Sequence, residues 1–136
     1  MRRLAPLVLV IVLLAGCTYY PIAADTGSPR MEPKNGRLVR TPTGAVCYFD
    51  LESTGKYGDL LLAAESTAAR RVDIVTVNGA PVTRLTVPGD SRLAFRPEGF
   101  RITLSDLTKP LIPGDGVIVT LVFAKSGRIG VVSRVE

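Results

Sequence analysis

Apolar and polar residues alternate along most of the chain beyond residue 36, in short segments separated by turn signals. In RPEGFRITLSDL (96–107), residues 100, 102 and 104 would face one side of a strand and residues 101, 103 and 105 the other. The turn signals are STGKYGD, NGAP, VPGD, RPEG, IPGDG and KSG. Their spacing is typical of a β-sandwich, and no convincing amphipathic helix is present.

The pattern predicts nine strands, at about residues 37–41, 45–51, 60–66, 70–77, 82–87, 91–96, 100–105, 116–124 and 128–135. The segment GVIVTLVF is apolar on both faces, which is typical of a central strand covered on both sides. In AVCYFDL, alternation puts Cys47 on the apolar face, where a buried small hydrophobe is expected rather than a reactive thiol. The predicted fold class is an all-β, compact antiparallel β-sandwich.

The composition of the chain excludes some classes of function. With 136 residues, 46 % of them apolar, the chain fits one domain. It contains no histidine. That absence removes the usual general base, the usual pH switch and the commonest metal ligand, so histidine-based catalytic triads are excluded.

The N-terminus reads MRRLAPLVLVIVLLAGC, with two arginines followed by an apolar run at 4–15 that is too short to span a bilayer. We interpret residues 1–16 as an export signal. Residues 14–17, LAGC, resemble the bacterial lipoprotein box, in which the cysteine becomes the lipid-modified first residue of the mature protein. Cys17 is therefore the predicted lipidation site, and the domain would be held at a membrane outside the cytoplasm, in the periplasm or at the cell surface. The alternative is an ordinary secretory signal in which Cys17 occurs by chance.

Residues 17–36 have the composition of a flexible tether, with three prolines, two glycines and no sustained periodicity. The folded domain is expected to comprise residues 37–136. Removal of the signal takes Arg2 and Arg3 with it, so the net charge falls from +5 and the exported chain is mildly basic. Cys47 would then be the only unmodified thiol, which rules out an intramolecular disulfide.

Four stretches resemble, in order, the periplasmic copper chaperone family PCu(A)C. They are GAVCYFDLESTG (44–55), GDLLLAAESTAARRVDI (58–74), VPGDSRLAFRPEGFRITLSDL (87–107) and KPLIPGDGVIVTLVF (109–123). The resemblance implies a cupredoxin-like, immunoglobulin-like β-sandwich. In the copper-handling members, that domain holds Cu(I) and passes it to respiratory oxidase assembly.

The resemblance also implies where copper ligands would lie. The family uses two histidines and two methionines, donors that suit a soft monovalent ion. The closing histidine and methionine correspond to Arg101 and Thr103, the first histidine corresponds to Val75, and the methionine hairpin is shortened to TVNGAPVTR, with a tight turn at Asn78-Gly79. A guanidinium about 4 Å from a unit cation repels it by roughly 4 kcal/mol at an effective dielectric of about 20. No copper site and no other cofactor is therefore expected from these degenerate positions.

Other residues of the chain are poor replacements for these copper ligands. Met31 and Cys47 are the remaining sulfur donors of the exported chain; one lies in the predicted tether and the other points toward the predicted core. A contribution of Met31 to a neighbouring chain stays open. Asp50 and Glu52 share a strand face and could contact a hard cation, although a solvated strand edge is the interpretation that we favour.

Positive charge is the remaining surface feature. Four arginines lie opposite the apolar faces of three successive strands: Arg84, Arg92, Arg96 and Arg101. They could form a patch for anionic lipid or for an acidic protein partner in the cell envelope. The alternative, which we favour, is a scattered solvated surface that Asp90 and Glu98 partly neutralise. Nucleic acid is not an expected partner, because aromatic interleaving is missing and the domain would be extracytoplasmic.

Three functions follow from these observations. The favoured one is a membrane-anchored accessory or binding lipoprotein on a PCu(A)C-like domain that no longer coordinates copper through the family site. The second is a chaperone that delivers Cu(I) for oxidase assembly with non-standard ligands, the only case in which copper would be a cofactor. The third, an enzyme, is not expected, since no nucleophile and base can be paired.

Overall fold

A computed structural model describes residues 29–136 of the chain, so the predicted signal and Cys17 lie outside the described residues. The described part is all-β. Its strands are β1 (Met31–Thr41), β2 (Gly44–Ser53), β3 (Asp59–Glu65), β4 (Ala69–Val75), β5 (Leu85–Val87), β6 (Ser91–Phe95), β7 (Arg101–Leu107), β8 (Gly116–Phe123) and β9 (Gly127–Val135). Residues 29–136 contain no helix that could cross a membrane.

The strands form one sheet in the order β4-β7-β2-β1-β9-β8-β3-β5, with β6 paired to β2. The sheet curls so that its two halves enclose a common core, which confirms the predicted β-sandwich. One pairing departs from the antiparallel pattern: β1 and β9 run parallel, at Arg37–Arg134 and Leu38–Val135. Because these strands are distant in sequence, no short turn forces them to be antiparallel.

Alternation along each strand supplies the core. On β2 the inward residues include Cys47, Phe49 and Leu51, all fully buried. The ring of Phe49 stacks on that of Phe95 from β6, with centroids 4.3 Å apart and ring planes 13° from parallel. The prediction that Cys47 is buried in the core is confirmed.

The first strand starts earlier than the sequence pattern indicates. β1 begins at Met31, not near residue 37, so the last residues of the predicted tether belong to the sheet. Met31 is buried, and Pro33 is paired with Leu51. β9 is paired with β1 at residues 37–38, so Pro33 lies where β1 has one strand partner and its missing N–H is tolerated. Asn35 has a φ of 57° at the irregularity that follows.

The strand β8 is covered on one face only, contrary to the prediction of two-sided coverage. Val119 and Leu121 are fully buried, whereas Ile118 is 58 % exposed. Ile118 pairs with Val132 of β9, which is 69 % exposed. An apolar outward face thus reflects an open sheet surface here, because antiparallel sheets can leave one face to solvent.

Candidate functional site

The three positions that the family resemblance aligns with copper ligands lie together on β4 and β7. Val75 is the register partner of Arg101, and Thr103 is the partner of Asp73 two positions along the same pair. Val75 is buried, while Arg101 and Thr103 are half-buried. The Thr103 hydroxyl donates to the carbonyl of Asp73 at 3.4 Å. An aliphatic side chain, a guanidinium and a committed hydroxyl offer no soft donor at this place.

Arg101 is held by the short connection that follows β4. One terminal nitrogen donates to the carbonyl oxygens of Thr76 and Val77, at 3.3 and 3.2 Å. Its Nε is buried and has no hydrogen-bond partner among residues 29–136. The permanent charge of the guanidinium therefore sits between the strand pair and the hairpin, where an incoming cation would meet it.

The connection itself is a closed turn, as its Asn78-Gly79 sequence predicts. The N–H of Gly79 donates to the carbonyl of Thr76 at 2.9 Å, and the N–H of Thr76 donates to the carbonyl of Ala80 at 2.9 Å. Gly79 has a φ of 81°, which favours glycine. The turn residues are exposed, and Val75 forms an isolated bridge with Pro81.

The two sulfur donors are far apart. Met31 is a buried β1 residue rather than a tether residue, and Cys47 is paired with Leu38 farther along β1. At about 3.3 Å per strand residue, Met31 and Leu38 are separated by roughly 20 Å. Metal–sulfur bonds are about 2.3 Å long, so one ion cannot bind both side chains within this chain. The buried position of Met31 also leaves no free thioether for a neighbouring chain.

The thiol of Cys47 is expected to be unreactive in the folded protein. Its Sγ lies 3.2 Å from the Oγ of Ser133 on β9, inside the core. Burial raises the pKa of the Cys47 thiol to about 11, and the Ser133 hydrogen bond offsets part of that rise. The thiolate, which is the nucleophile and the metal-binding form, is scarcely populated at neutral pH.

Asp50 and Glu52, the acidic residues of β2, form ion pairs with cationic side chains and do not form a cation site. Glu52 accepts from Lys34 at 2.8 Å and from Arg92 at 2.7 Å. Its hydrogen bond with Lys34 lowers the pKa of Glu52 and raises that of Lys34. Asp50 accepts from Arg96 at 2.7 Å and is buried, so it is not part of a solvated edge. Among residues 29–136, no cluster of three or more metal-binding side chains occurs.

The four arginines of the predicted patch therefore have different surroundings. Arg92 and Arg96 form ion pairs with Glu52 and Asp50, and Arg101 binds backbone carbonyls. Arg84 is exposed on the segment before β5. The neutralising carboxylates are those of β2: Glu52 is the register partner of Arg92, and Asp50 binds Arg96, which directly follows β6. A patch that binds lipid or protein stays a prediction.

Sequence reasoning missed Asp59, the first residue of β3. Its carboxylate accepts from the backbone N–H groups of Leu60, Lys125 and Ser126 and from the Ser126 hydroxyl, at 2.6–2.9 Å. Burial alone would raise the pKa of Asp59, but these hydrogen bonds outweigh it and hold the pKa below its usual value. Asp59 fixes the β8–β9 turn against β3. The only sequence signal was the acidic residue directly after a turn, in YGD.

Comparison with known proteins gives a consistent result. A family model described as "Putative lipoprotein LpqE-like" matches residues 25–135. No match was found among curated proteins.

Solved structures share the fold. The copper-bound PCuAC domain from PmoF2 has 25 % sequence identity and a TM-score of 0.70, over 78 % of this chain and 92 % of that one. The apo PCuAC domain from PmoF1 has 24 % identity and a TM-score of 0.70, over the same shares of the two chains. The solution structure of CuI-DR1885 from Deinococcus radiodurans has 22 % identity and a TM-score of 0.66, over 85 % of this chain and 86 % of that one. The expected cupredoxin-like sandwich is confirmed.

Proposed function

Because the chain belongs to the LpqE-like family of putative lipoproteins, a PCuAC-like family, we propose that it is a membrane-anchored, extracytoplasmic accessory or binding protein. In this proposal the PCuAC-like domain does not coordinate copper at the family site, and Cys17 carries the lipid. The domain acts through contacts with a partner in the cell envelope. It has no catalytic role and needs no cofactor.

One observation supports the loss of copper binding most directly: the guanidinium of Arg101 lies beside Val75 and Thr103 and donates to two turn carbonyls. A soft monovalent cation needs imidazole or thioether donors, and the chain has no histidine at all. In place of such donors, the β4–β7 strand pair presents the fixed positive charge of Arg101. Charge repulsion by Arg101 and the lack of soft donors both oppose the binding of Cu(I) here.

A titration tests the copper half of the proposal. The purified protein is titrated with Cu(I) against a competing chelator of known affinity. We expect the chelator to keep all of the copper, with no change when Met31 is replaced by leucine or Cys47 by serine. One equivalent of Cu(I) held by the protein would overturn this half, and the two variants would show whether sulfur is involved.

The anchor is tested separately by mass and by fractionation. We expect the protein from bacterial membranes to begin at Cys17 and to carry acyl chains, each methylene of which contributes about 0.8 kcal/mol to membrane binding. Cys17→Ser should release the protein from the membrane fraction, whereas the matched change Cys47→Ser should not. An unmodified Cys17 in membrane-bound protein would contradict the anchor.

A second candidate is copper delivery with non-standard ligands. It is favoured by one finding, that the PCuAC domain from PmoF2, 25 % identical to this chain, was solved with copper bound. Stoichiometric Cu(I) retention in the titration, together with transfer to a second copper-binding protein, would support this candidate over the first.

A further inference from the structure

We propose that one end of the sandwich is a docking surface for anionic phospholipid. We call it the entry end, because it is where the described chain enters the sheet; it consists of residues 54–58, 87–90 and 124–126. This inference rests on the proposed lipid anchor for its biological setting. The chemistry of the surface can be tested without it.

The three loops of the entry end form one connected surface. The N–H of Thr54 donates to the carbonyl of Arg30 at 3.0 Å, next to the start of β1. The N–H of Asp90 donates to the carbonyl of Gly55 at 2.9 Å, and a Cβ at Gly89 would overlap the carbonyl oxygen of Lys56. The carboxylate of Asp59 binds the 124–126 turn from the other side. The loops are therefore fixed relative to one another.

The exposed groups of this end combine an aromatic ring, two ammonium groups and an apolar cleft. Tyr57 is 54 % exposed, and the Lys56 ammonium lies 5.6 Å from its ring centroid. Beside them is an open cleft of about 360 Å³. Its lining is mostly apolar and includes Lys125 at one side; the other residues are Gly58, Asp59, Leu60, Thr86, Val87, Pro88 and Ala124. Tyrosine beside lysine is the pairing that proteins place at membrane–water interfaces.

The carboxylates that the structure describes nearby do not form ion pairs with either lysine. Asp59 is buried, and both its oxygens accept hydrogen bonds from the protein. Glu52 is paired with Lys34 and Arg92. Asp90 and Glu32 are exposed at this end, yet within residues 29–136 neither Lys56 nor Lys125 forms an ion pair with any carboxylate. The two ammonium groups remain available to phosphate.

The attachment point favours this end over the opposite one. Fourteen residue steps separate Cys17 from Met31, and the tether predicted from the sequence would span about 20 Å over that length with flexible-coil statistics. The 11 residues of β1 extend about 36 Å. A lipid on Cys17 thus keeps the entry end within the mean reach of the membrane and the far end, with the β1–β2 turn, beyond it. Proximity of this kind raises the local concentration of lipid enough for weak contacts to matter.

Lipid fits the surface better than an acidic protein does. The apolar cleft, the tyrosine ring and the lysines are adjacent at this end, so a single amphipathic ligand can contact all of them. Each lysine near an anionic surface contributes about fivefold to the docked-to-undocked ratio. Two lysines are enough to keep the entry end docked on the membrane only when the chain is already anchored there, which is the arrangement proposed here.

The test uses tryptophan as a probe, since the chain contains none. Tyr57→Trp places it at the entry end, and Thr43→Trp places it in the exposed β1–β2 turn at the far end. Each lipidated protein is reconstituted into vesicles of phosphatidylcholine with or without phosphatidylglycerol, with brominated acyl chains as quenchers. We expect quenching and a blue shift at position 57 only, and only with phosphatidylglycerol.

Matched variants identify the groups responsible. In the Tyr57→Trp protein, Lys56→Gln or Lys125→Gln should lower the docked-to-undocked ratio about fivefold each, and both together about 25-fold. Ala124→Glu, at the rim of the cleft, should abolish quenching, whereas Thr43→Glu should leave it unchanged. A position-57 probe that stays aqueous, or quenching that is equal at positions 43 and 57, would overturn the proposal.

Two further measurements distinguish failure of the proposed lipid anchor from failure of the proposed lipid docking. The mass of the purified protein shows whether Cys17 is lipidated; if it is not, the anchor fails, and Cys17 is coupled to a maleimide lipid so that docking is still measured. The buried thiol of Cys47 does not compete in that coupling. A photocrosslinker at position 57 that captures only a protein in native membranes, with no quenching in vesicles, would assign the entry end to a protein partner and sink the lipid proposal.

Discussion

Replacing Asp59 by asparagine removes the charge that holds the β8–β9 turn, at an unchanged side-chain volume. Asparagine keeps one acceptor oxygen, toward Leu60 and Lys125, but presents an NH₂ group to the N–H and hydroxyl of Ser126. Hydrogen bonds to a charged group contribute about 1.5–3 kcal/mol each. The Ser126 hydroxyl can accept from that NH₂ group, so the bond from the Ser126 N–H is lost and the other three are weakened. We therefore expect the free energy of unfolding to fall by about 2–4 kcal/mol.

The same substitution has a defined pH dependence. The pKa of Asp59 in the folded protein lies below its ordinary value of 3.8. The carboxylate therefore adds stability that is fully present above the unfolded-state pKa and is lost as the pH falls through the folded-state value. The difference between wild type and Asp59→Asn should be largest near pH 7 and should narrow below about pH 4, where the protonated acid resembles the amide.

Thermal unfolding followed by circular dichroism measures both effects. For a domain of this size, 1 kcal/mol corresponds to about 4–8 °C in Tm, so a decrease on the order of 10–20 °C is expected at pH 7. Asp115→Asn, the same change at an exposed site, should alter stability by less than about 0.5 kcal/mol. Equal effects of the two substitutions, or a difference from wild type that grows toward acid pH, would refute the role assigned to Asp59.

Two other predictions concern the paired positions on β4 and β7 and the buried thiol. The triple variant Val75→His, Arg101→His, Thr103→Met should gain measurable Cu(I) retention in the chelator competition, because β4 and β7 already hold these positions side by side; no gain would mean that the two strands do not reproduce the ligand geometry. Cys47 should react with a maleimide at pH 8 only after denaturation, as followed by mass spectrometry, since burial raises its pKa to about 11; rapid labelling of the folded protein would contradict its assigned environment.

The strands were predictable because alternation and turn chemistry are local. All nine expected strands occur, but their ends depend on neighbours that the sequence does not display. Pro33 made the first part of β1 look like tether, yet it lies where that strand has one partner. The apolar outward residue Ile118 suggested a covered strand, although the sheet leaves that face open.

The candidate site was predictable in its positions but not in its contacts. Val75 and Arg101, which the family resemblance aligns with one set of ligands, are register partners. The hydrogen bonds of Arg101 to the shortened turn depend on the path of that turn, and the pairing of Arg96 with Asp50 depends on the register of β6 against β2. Neither register nor side-chain conformation is specified by the pattern of apolar residues alone.

The parallel pairing of β1 with β9 bears on the order in which the protein folds. The Nε of Arg40 donates to the carbonyl of Glu136, a contact between residues 96 positions apart. Until the final strand is available, β1 and β8 each lack a neighbour in the sheet, and the large loop between the two ends of the chain must close before that pairing stabilises anything. Within the described residues, the curled sheet is therefore closed only when β9 lies between β1 and β8, and we expect this pairing to form late in folding.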